Sequence, residues 1–354
     1  MSYIPFLKFK VNEVAAIKEL SLAHKKGLVP FFDLPRRDDM DEESLTKIIN
    51  ALHRKYEINL TRLPAFYLDN FDIDDSIKIG GDDNYSYLLK IFSDAPIIPV
   101  VGIDRTDRHN DIVFERSKDI QSDTVAFRIT SDDLDYLLAE DEIGELLDDC
   151  IENFSYVHLV IDNRMCNGVD IDKRANEVIE FISDITNDYD FDKVIVAGSS
   201  IPGSIRDLLE PGKTGTFSRA EVELYRQVKK KHKFIRLGDY TAVSPNYSDV
   251  KVKGEIMRKI TAPKIIYSFD DSMHIMRGFA LETHPRGNKQ YNDLSSLLVA
   301  KKFYRTKAYS FGDKYIYEKA NSIGKDATPS TIPKALVNLH ITYMLNDFVL
   351  WRKT

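Results

Sequence analysis

Short apolar runs of strand type recur along the chain, and patterns typical of helices separate them. The runs follow one another at intervals of about 25 to 40 residues, the length of one β-α unit. Most are continuously apolar rather than alternating, as in strands buried on both faces of a parallel sheet. Eight such runs are predicted as strands, at residues 4–9, 28–34, 64–69, 96–103, 124–129, 156–162, 193–199 and 233–239.

Apolar residues at helical spacing fill several of the segments between these runs. We predict helices over 13–26, 41–56, 131–151, 170–185 and 217–233. Asn12 and Ser218 are predicted to cap the first and the last of these helices, and Gly27 to end the first. Eight alternating units favour a (β/α)8 barrel of the TIM-barrel type, with an open doubly wound α/β sheet as the alternative.

The eighth unit is predicted to be decorated. Residues 240–330 form an insertion or extension on it, within a single domain that spans 1–354. After the eighth strand we predict a hairpin, a helix, a strand-type run ending in Gly-Asp and a final apolar helix, at 263–279 (turning at 270–272), 289–303, 309–316 and 333–351.

Charge and cysteine content limit the class of protein. The formal net charge is −7, which disfavours nucleic-acid binding over the whole surface, because phosphate attraction needs a basic face. A local basic run at 229–233 is compatible with nucleic acid, but it equally fits a solvated helix end. The two cysteines cannot build a disulfide framework. Without a signal-peptide pattern or an apolar stretch of about 18 residues, we expect a cytoplasmic protein with no membrane association.

Polar residues stand where most of the predicted strands end. In a parallel barrel these ends gather on one face, where active sites lie. The candidate functional rim consists of Lys8, Lys10, Asp33, Asp69, Arg128, Asp162, Ser199 and Asp239, with Arg277 and Asp313 brought back by the C-terminal extension.

Two kinds of chemistry fit such a rim. Asp33, Asp69, Asp162 and Asp239 are the candidate ligands for Mg²⁺ or Mn²⁺, which prefer oxygen donors. The cations Lys8, Lys10 and Arg128 could then bind a phosphate. Equally, the cations and carboxylates could pair with one another and perform no chemistry. No metalloprotease, Walker or nucleophile-elbow motif decides between these possibilities.

Six motifs occur in order along the chain: YIPFLKFKVNEVAAIKEL at 3–20, VPFFDLP at 29–35, AGSSIP at 197–202, LGDY at 237–240, MRG at 276–278 and FGDKYI at 311–316. Together they resemble the Beta-protein family of satellite phages and other bacterial mobile elements. The resemblance implies a TIM-barrel-like fold. It also implies a place in phage-defence or toxin-linked gene cassettes, with a companion protein encoded nearby.

The resemblance carries over to individual positions. It marks Lys8, Lys10, Asp33, Gly198, Ser199, Gly238, Asp239, Arg277, Gly312 and Asp313. Family members often have Glu at the position of Asp33. They also have an aromatic-rich Asn-His stretch near the C-terminus, where this chain has TPSTIPKALVNLHI at 328–341 and keeps only Asn338 and His340.

Three functions therefore stand as expectations. The first is a component of an anti-phage or toxin-linked system that acts with a protein partner through the polar rim. The second is a metal-dependent phosphodiesterase or nuclease that uses the aspartates of the rim. The third is a sensor that binds a nucleotide or another small ligand.

Overall fold

The structure is a computed structural model that describes residues 3–246 and 261–348. In chain order its strands are β1 (Ile4–Lys8), β2 (Phe31–Asp33), β3 (Phe66–Asp69), β4 (Lys78–Ile79), β5 (Asp82–Asp83), β6 (Ile97–Val101), β7 (Thr124–Thr130), β8 (Tyr156–Met165), β9 (Lys193–Ser199), β10 (Thr214–Ser218), β11 (Arg236–Asp239), β12 (Lys264–Phe269) and β13 (Ser272–Arg277).

The helices surround and extend the strands. They are α1 (Val11–Lys18), α2 (Leu22–Lys26), α3 (Glu42–Asn59), α4 (Asn84–Ile91), α5 (Asp107–Glu115), α6 (Glu140–Asn153), α7 (Ile171–Asp188), α8 (Ala220–Lys231), α9 (Gln290–Val299), α10 (Phe311–Ala320) and α11 (Ile332–Asn346). Among the described residues, no helix is both long and apolar enough to cross a membrane.

Eight parallel strands close into a barrel in the order β1-β11-β9-β8-β7-β6-β3-β2. They correspond one for one to the eight predicted strands, so the (β/α)8 prediction is confirmed and the open doubly wound alternative is wrong. Val100, Phe127, Val160 and Val196 of these strands are buried, and so is Ile235, the residue before β11.

Alternating strand residues fill two separate layers of core. Residues that face outward pack under the helices, and residues that face inward fill the barrel. Phe6, Phe31 and Tyr67 form an aromatic ladder across three neighbouring strands inside the barrel, with ring centroids 4.4 and 5.1 Å apart. This ladder forms the floor beneath the polar residues at the strand ends.

The extension has a core of its own. β10, β13 and β12 form an antiparallel sheet, which packs with α9, α10 and α11 around a second apolar cluster. The predicted hairpin is confirmed: β12 and β13 turn at Asp270, which has a φ of 48°. The predicted last helix is α11, and residues 349–351 of that prediction lie outside the described residues.

Several local predictions are wrong. The helix predicted over 13–26 is two helices, α1 and α2, because Ser21 accepts a hydrogen bond from the backbone N–H of His24 and starts a new helix. Lys10 rather than Asn12 occupies the N-cap of α1. Ser218 ends β10, which the sequence patterns did not predict, and the N-cap of α8 is Arg219. The patterns also missed α4 and α5.

The second Gly-Asp motif does not end a strand. Residues 311–320 form α10, and Asp313 lies in its first turn, where its backbone N–H donates to the capping hydroxyl of Ser310 at 2.9 Å. Gly312 is required by close helix packing, because a Cβ there would lie 2.2 Å from the carbonyl oxygen of Ala335 in α11. The motif therefore anchors one helix against another.

Candidate functional site

Three of the predicted rim aspartates converge on one arginine inside the mouth of the barrel. Nη1 of Arg128 lies 2.9 Å from Asp33 and 2.7 Å from Asp69, and Nη2 lies 2.5 Å from Asp162. The hydroxyl of Tyr240 donates to Asp162 at 2.6 Å and accepts from Arg128 at 3.3 Å. These side chains come from five different strand ends or the loops that follow them.

Strand alternation explains why these residues meet. Ala126 faces the barrel interior, so Arg128, two residues further along β7, faces it as well. Val160 and Asp162 have the same relation in β8. The guanidinium of Arg128 lies above the aromatic floor, with its central carbon 4.9 Å from the ring centroid of Phe31. The charged layer is therefore the uppermost layer of the barrel core.

A second set of charges surrounds the first. Nζ of Lys8 lies 3.1 Å from Asp33 and also forms a short ion pair with Asp72. Arg164 lies 3.8 Å from the other oxygen of Asp72. Arg164 has a φ of 49° and interrupts the register of β8 against β9, which turns this residue back over the barrel mouth.

Phe71 covers the cluster. Its ring lies within 4.6 Å of the guanidinium carbons of Arg105, Arg128 and Arg164, distances at which cation–π attraction operates. Arg105 in turn lies 2.9 Å from Asp69. One aromatic ring thus holds three cations over the mouth.

We refer to this set as the buried ionic cluster. It contains the cations Lys8, Arg105, Arg128 and Arg164 and the carboxylates Asp33, Asp69, Asp72 and Asp162. The four positive charges balance the four negative charges. Arg128, Asp69 and Asp162 have no exposed surface, so the cluster closes the barrel rather than lining an open site.

The balance of charge sets the ionisation of the aspartates. Burial by itself opposes ionisation of Asp33, but the charges of Lys8 and Arg128 outweigh it and hold the pKa of its carboxyl below the usual range. At Asp162 burial is likewise outweighed, chiefly by Arg128, and the pKa is lowered. At Asp72, burial and the neighbouring charge of Asp33 together raise the pKa.

This arrangement limits the chemistry of the mouth. The oxygens of Asp33, Asp69 and Asp162 that would bind Mg²⁺ or Mn²⁺ already accept from guanidinium or ammonium groups. Within residues 3–246 and 261–348, no group of three or more His, Cys, Asp or Glu side chains is arranged to hold a metal ion. A metal here would first have to displace a cation.

Asp239, the fourth predicted metal ligand, lies on the other side of the barrel wall. Its neighbour Gly238 faces inward, where a Cβ would come within 2.7 Å of Phe6, so Asp239 faces the surrounding helices. It accepts from Tyr3 at 2.7 Å and from Arg219 at 2.8 Å, and lies 3.0 Å from His340. It therefore cannot share a metal ion with the aspartates inside the barrel.

The contacts of His340 resemble a catalytic triad only in connectivity. Nε2 of His340 faces Asp239, and Nδ1 lies 2.7 Å from the hydroxyl of Ser268. Ser268 is 3% exposed and His340 is 1% exposed, so no substrate reaches the hydroxyl in this conformation. Both ring nitrogens of His340 therefore have partners inside the buried core. Asp239 has a lowered pKa because the charges of His340 and Arg219 outweigh its burial.

The other rim candidates are dispersed. Ser199 is buried and accepts from the backbone N–H of Ile201 at 3.1 Å. Arg277 donates to the carbonyl oxygen of Leu209 in the extension, and Asp313 accepts from Tyr267 at 2.7 Å. The structure brings together Lys8, Asp33, Asp69, Arg128 and Asp162, and it places Ser199, Asp239, Arg277 and Asp313 in other surroundings. Lys10 lies at the edge of a cavity beside Lys8.

The predicted rim lacks three of the eight charged residues of the buried ionic cluster, and it also lacks Phe71 and Tyr240, which contact the cluster. The periodic spacing of apolar residues could not locate Phe71, Asp72 and Arg164, because they lie in loops or at an irregular strand end. Tyr240 could have been found, because it follows Asp239 and alternation turns it to the opposite face. Arg105 stands with Asp104 at the end of the predicted strand 96–103, the same kind of position as the rim candidates, although the candidate rim does not include it.

A family model described as "Beta protein" matches residues 3–346 of the chain. No curated protein matches it. The matched range begins one residue before β1 and ends at the last residue of α11, so it covers the barrel and the extension together.

Proposed function

Since the chain belongs to the Beta protein family, we propose that it works by binding a protein partner, with the barrel as a rigid scaffold. The proposal is specific about place and chemistry. The partner binds the outer surface around the turn between β7 and α6, and it presents a basic, partly apolar segment.

The observation that carries the proposal is a pair of adjacent leucines. Leu137 is 72% exposed and Leu138 is 85% exposed, although both belong to the ordered turn over Tyr136–Leu138. Tyr136 anchors this turn, because its ring packs against Phe181 and its hydroxyl donates to Asp188 at 2.9 Å. Two large apolar side chains fixed in water are typical of a contact surface.

The surroundings of the leucines define the partner's charge. Residues 131–153 contain ten Asp or Glu and no Lys or Arg. Seven of these acidic residues lie exposed along α6, where nothing positive from the same segment neutralises them. A basic partner would be steered to this surface and would bury the leucines on docking. We call residues 131–153 the acidic docking segment.

The buried ionic cluster favours the scaffold hypothesis over the hypothesis of a metal-dependent phosphodiesterase. Its carboxylates are paired and its central arginine is unexposed, so we expect no binding of Mg²⁺ or Mn²⁺ at the barrel mouth. Calorimetric titration tests this directly. A heat of binding that disappears in Asp69→Asn would favour the phosphodiesterase instead.

The docking proposal is tested by co-purification with the products of the flanking genes. We expect one of them to be retained by the wild-type protein and to lose at least about tenfold in affinity, 1.4 kcal/mol, with the double variant Leu137→Ser, Leu138→Ser. Ile323→Ser is the matched control, because Ile323 is an exposed apolar residue in the extension. Added salt should weaken binding of the wild type.

Two results would contradict the proposal. One is equal retention by the double variant and the control. The other is the absence of any bound product of a flanking gene. A role of this partnership in phage defence or in a toxin-linked cassette stays a prediction from the resemblance, as does binding to nucleic acid.

A further inference from the structure

A cavity of about 320 Å³ lies between the barrel mouth and the extension. Lys8 and Lys10 at the end of β1 form one side of it, and residues 242–246, which follow β11, form another. The N-terminal half of α11 and the start of β12 close it from the extension. The C-terminal face of a barrel is where ligand sites of this fold lie.

One buried acid on this cavity has a carboxylate oxygen that no described residue contacts by a hydrogen bond. Glu13, in the first turn of α1, lines the cavity and is 5% exposed. Its Oε2 atom has no hydrogen-bond partner among the described residues. A buried polar atom without a partner is costly, and such atoms in native proteins commonly mark a place for a ligand or a water molecule.

A lysine without an ion pair lies on the same cavity. Lys264, the first residue of β12, forms no ion pair with any described carboxylate. Its side chain is accessible, yet the surrounding protein lowers the pKa of its ammonium through burial. Lys264 thus adds an ammonium group without an ion-pair partner among the described residues to the lining of the cavity.

Part of the lining is apolar. It consists of Ile332, Leu336 and Val337 of α11, together with Pro202 and Tyr291. These side chains belong to well-packed regions and are themselves buried or nearly so. The cavity thus combines an acid and an amine with apolar side chains, which is the usual composition of a small-molecule site.

We propose that this cavity is a binding site for a small organic anion, with its phosphate or carboxylate at Lys264 and its apolar body against α11. Oε2 of Glu13 takes a hydrogen bond with a polar group of the same ligand. The volume equals that of about ten water molecules, which suits a ligand the size of a nucleoside monophosphate or smaller. The site is independent of the acidic docking segment.

Two anionic probes test the proposal by calorimetry on the full chain. Adenosine monophosphate supplies a phosphate and indole-3-acetate supplies a carboxylate, and adenosine and indole serve as their uncharged counterparts. We expect at least one anion to bind with a dissociation constant below about 1 mM and its uncharged counterpart to bind at least about tenfold more weakly. Whichever anion binds identifies the preferred head group.

Variants then locate the site. Lys264→Gln removes the ammonium and should weaken binding about tenfold or more. Lys302→Gln is the matched control, since Lys302 is an exposed lysine of the extension that does not line the cavity. Ala262→Phe places a ring in the cavity from a half-buried position and should abolish binding. Circular dichroism and the unfolding midpoint show whether each variant is folded.

The proposal is overturned if neither anion binds the wild-type protein at about 1 mM. It is also overturned if a folded Ala262→Phe variant binds as well as the wild type, because the ligand would then lie elsewhere. Equal losses in Lys264→Gln and Lys302→Gln would show a general effect of charge and would reject the assigned head-group site.

Discussion

Replacing Arg128 with Met should destabilise the protein strongly and in a pH-dependent way. The guanidinium pairs with Asp33, Asp69 and Asp162 and has no exposed surface. Methionine preserves most of the volume and removes the charge. Asp33 keeps Lys8 and Asp69 keeps Arg105 as partners.

Asp162 suffers most from this change. It keeps two neutral donors, the hydroxyl of Tyr240 at 2.6 Å and the backbone N–H of Arg164 at 3.0 Å, and the weaker attraction of the Arg164 charge. Its pKa, now held low mainly by Arg128 against burial, should rise above that of an exposed aspartate. A buried ion pair broken by removal of one partner typically costs roughly 3–5 kcal/mol, and we expect a loss of this size near pH 7.

The sign of the pH dependence distinguishes this explanation from a loss of packing. In the wild type the lowered pKa values of Asp33 and Asp162 contribute stability that is lost only as the pH falls below the unfolded value. In the variant, the raised pKa of Asp162 lowers the free energy of unfolding as the pH rises above the pKa of an unfolded aspartate. The gap between the two proteins should therefore narrow from about pH 7 to about pH 5.

Urea unfolding followed by circular dichroism at both pH values measures the gap. Arg108→Met is the matched control, because Arg108 pairs with Asp82 and Glu115 but is exposed, so its loss should matter far less. Adding Asp162→Asn to the Arg128→Met variant should restore part of the stability near pH 7. A gap below about 1 kcal/mol at pH 7, or one that does not change with pH, would refute the reasoning.

Three further predictions concern other parts of the molecule. Gly312→Ala forces a methyl group against α11 and should lower stability by about 1–3 kcal/mol, seen as a lower thermal midpoint, whereas an unchanged midpoint would show that α10 can move away. Glu13→Gln should stabilise the protein, because burial raises the pKa of Glu13 to about 7 and the wild type therefore loses stability as the pH rises from 4.5 to 7. In denaturant unfolding, the free energy of unfolding of the variant should equal that of the wild type near pH 4 and exceed it by about 3 kcal/mol above pH 7. Val196→Asp places an unpaired charge in β9 and should leave no cooperative unfolding transition; a folded variant would contradict the packing of that strand.

The barrel could be predicted from sequence because its signal is local. Each strand is a short apolar run followed by a polar residue. Both features can be recognised in the sequence without knowing which strands are neighbours. The run YSFGDKYI has the same local signal but forms a helix. Ser310 caps this helix and Gly312 packs against α11, and a contact between two helices is not visible in a local pattern.

The candidate site was harder to predict than the fold. Alternation correctly places Asp33, Asp69, Arg128 and Asp162 together, but whether they form an open rim or a closed cluster depends on what covers them. Phe71 provides that cover, and nothing in its sequence surroundings indicates that three guanidinium groups contact it. Asp239 was predicted on the wrong face of its strand, because its position at the strand end was considered and the direction of its side chain was not.

The contacts of Asp239 also govern the order in which the molecule can assemble. Its carboxylate joins Tyr3, 236 residues earlier, to His340, 101 residues later. During synthesis the strands of the barrel leave the ribosome long before His340, so a nascent chain can align its sheet but cannot complete the partners of this buried charge. Contacts between such distant residues slow folding. We therefore expect the emerging chain to remain sensitive to protease until α11 has been made, and the barrel and its extension then to become protected together.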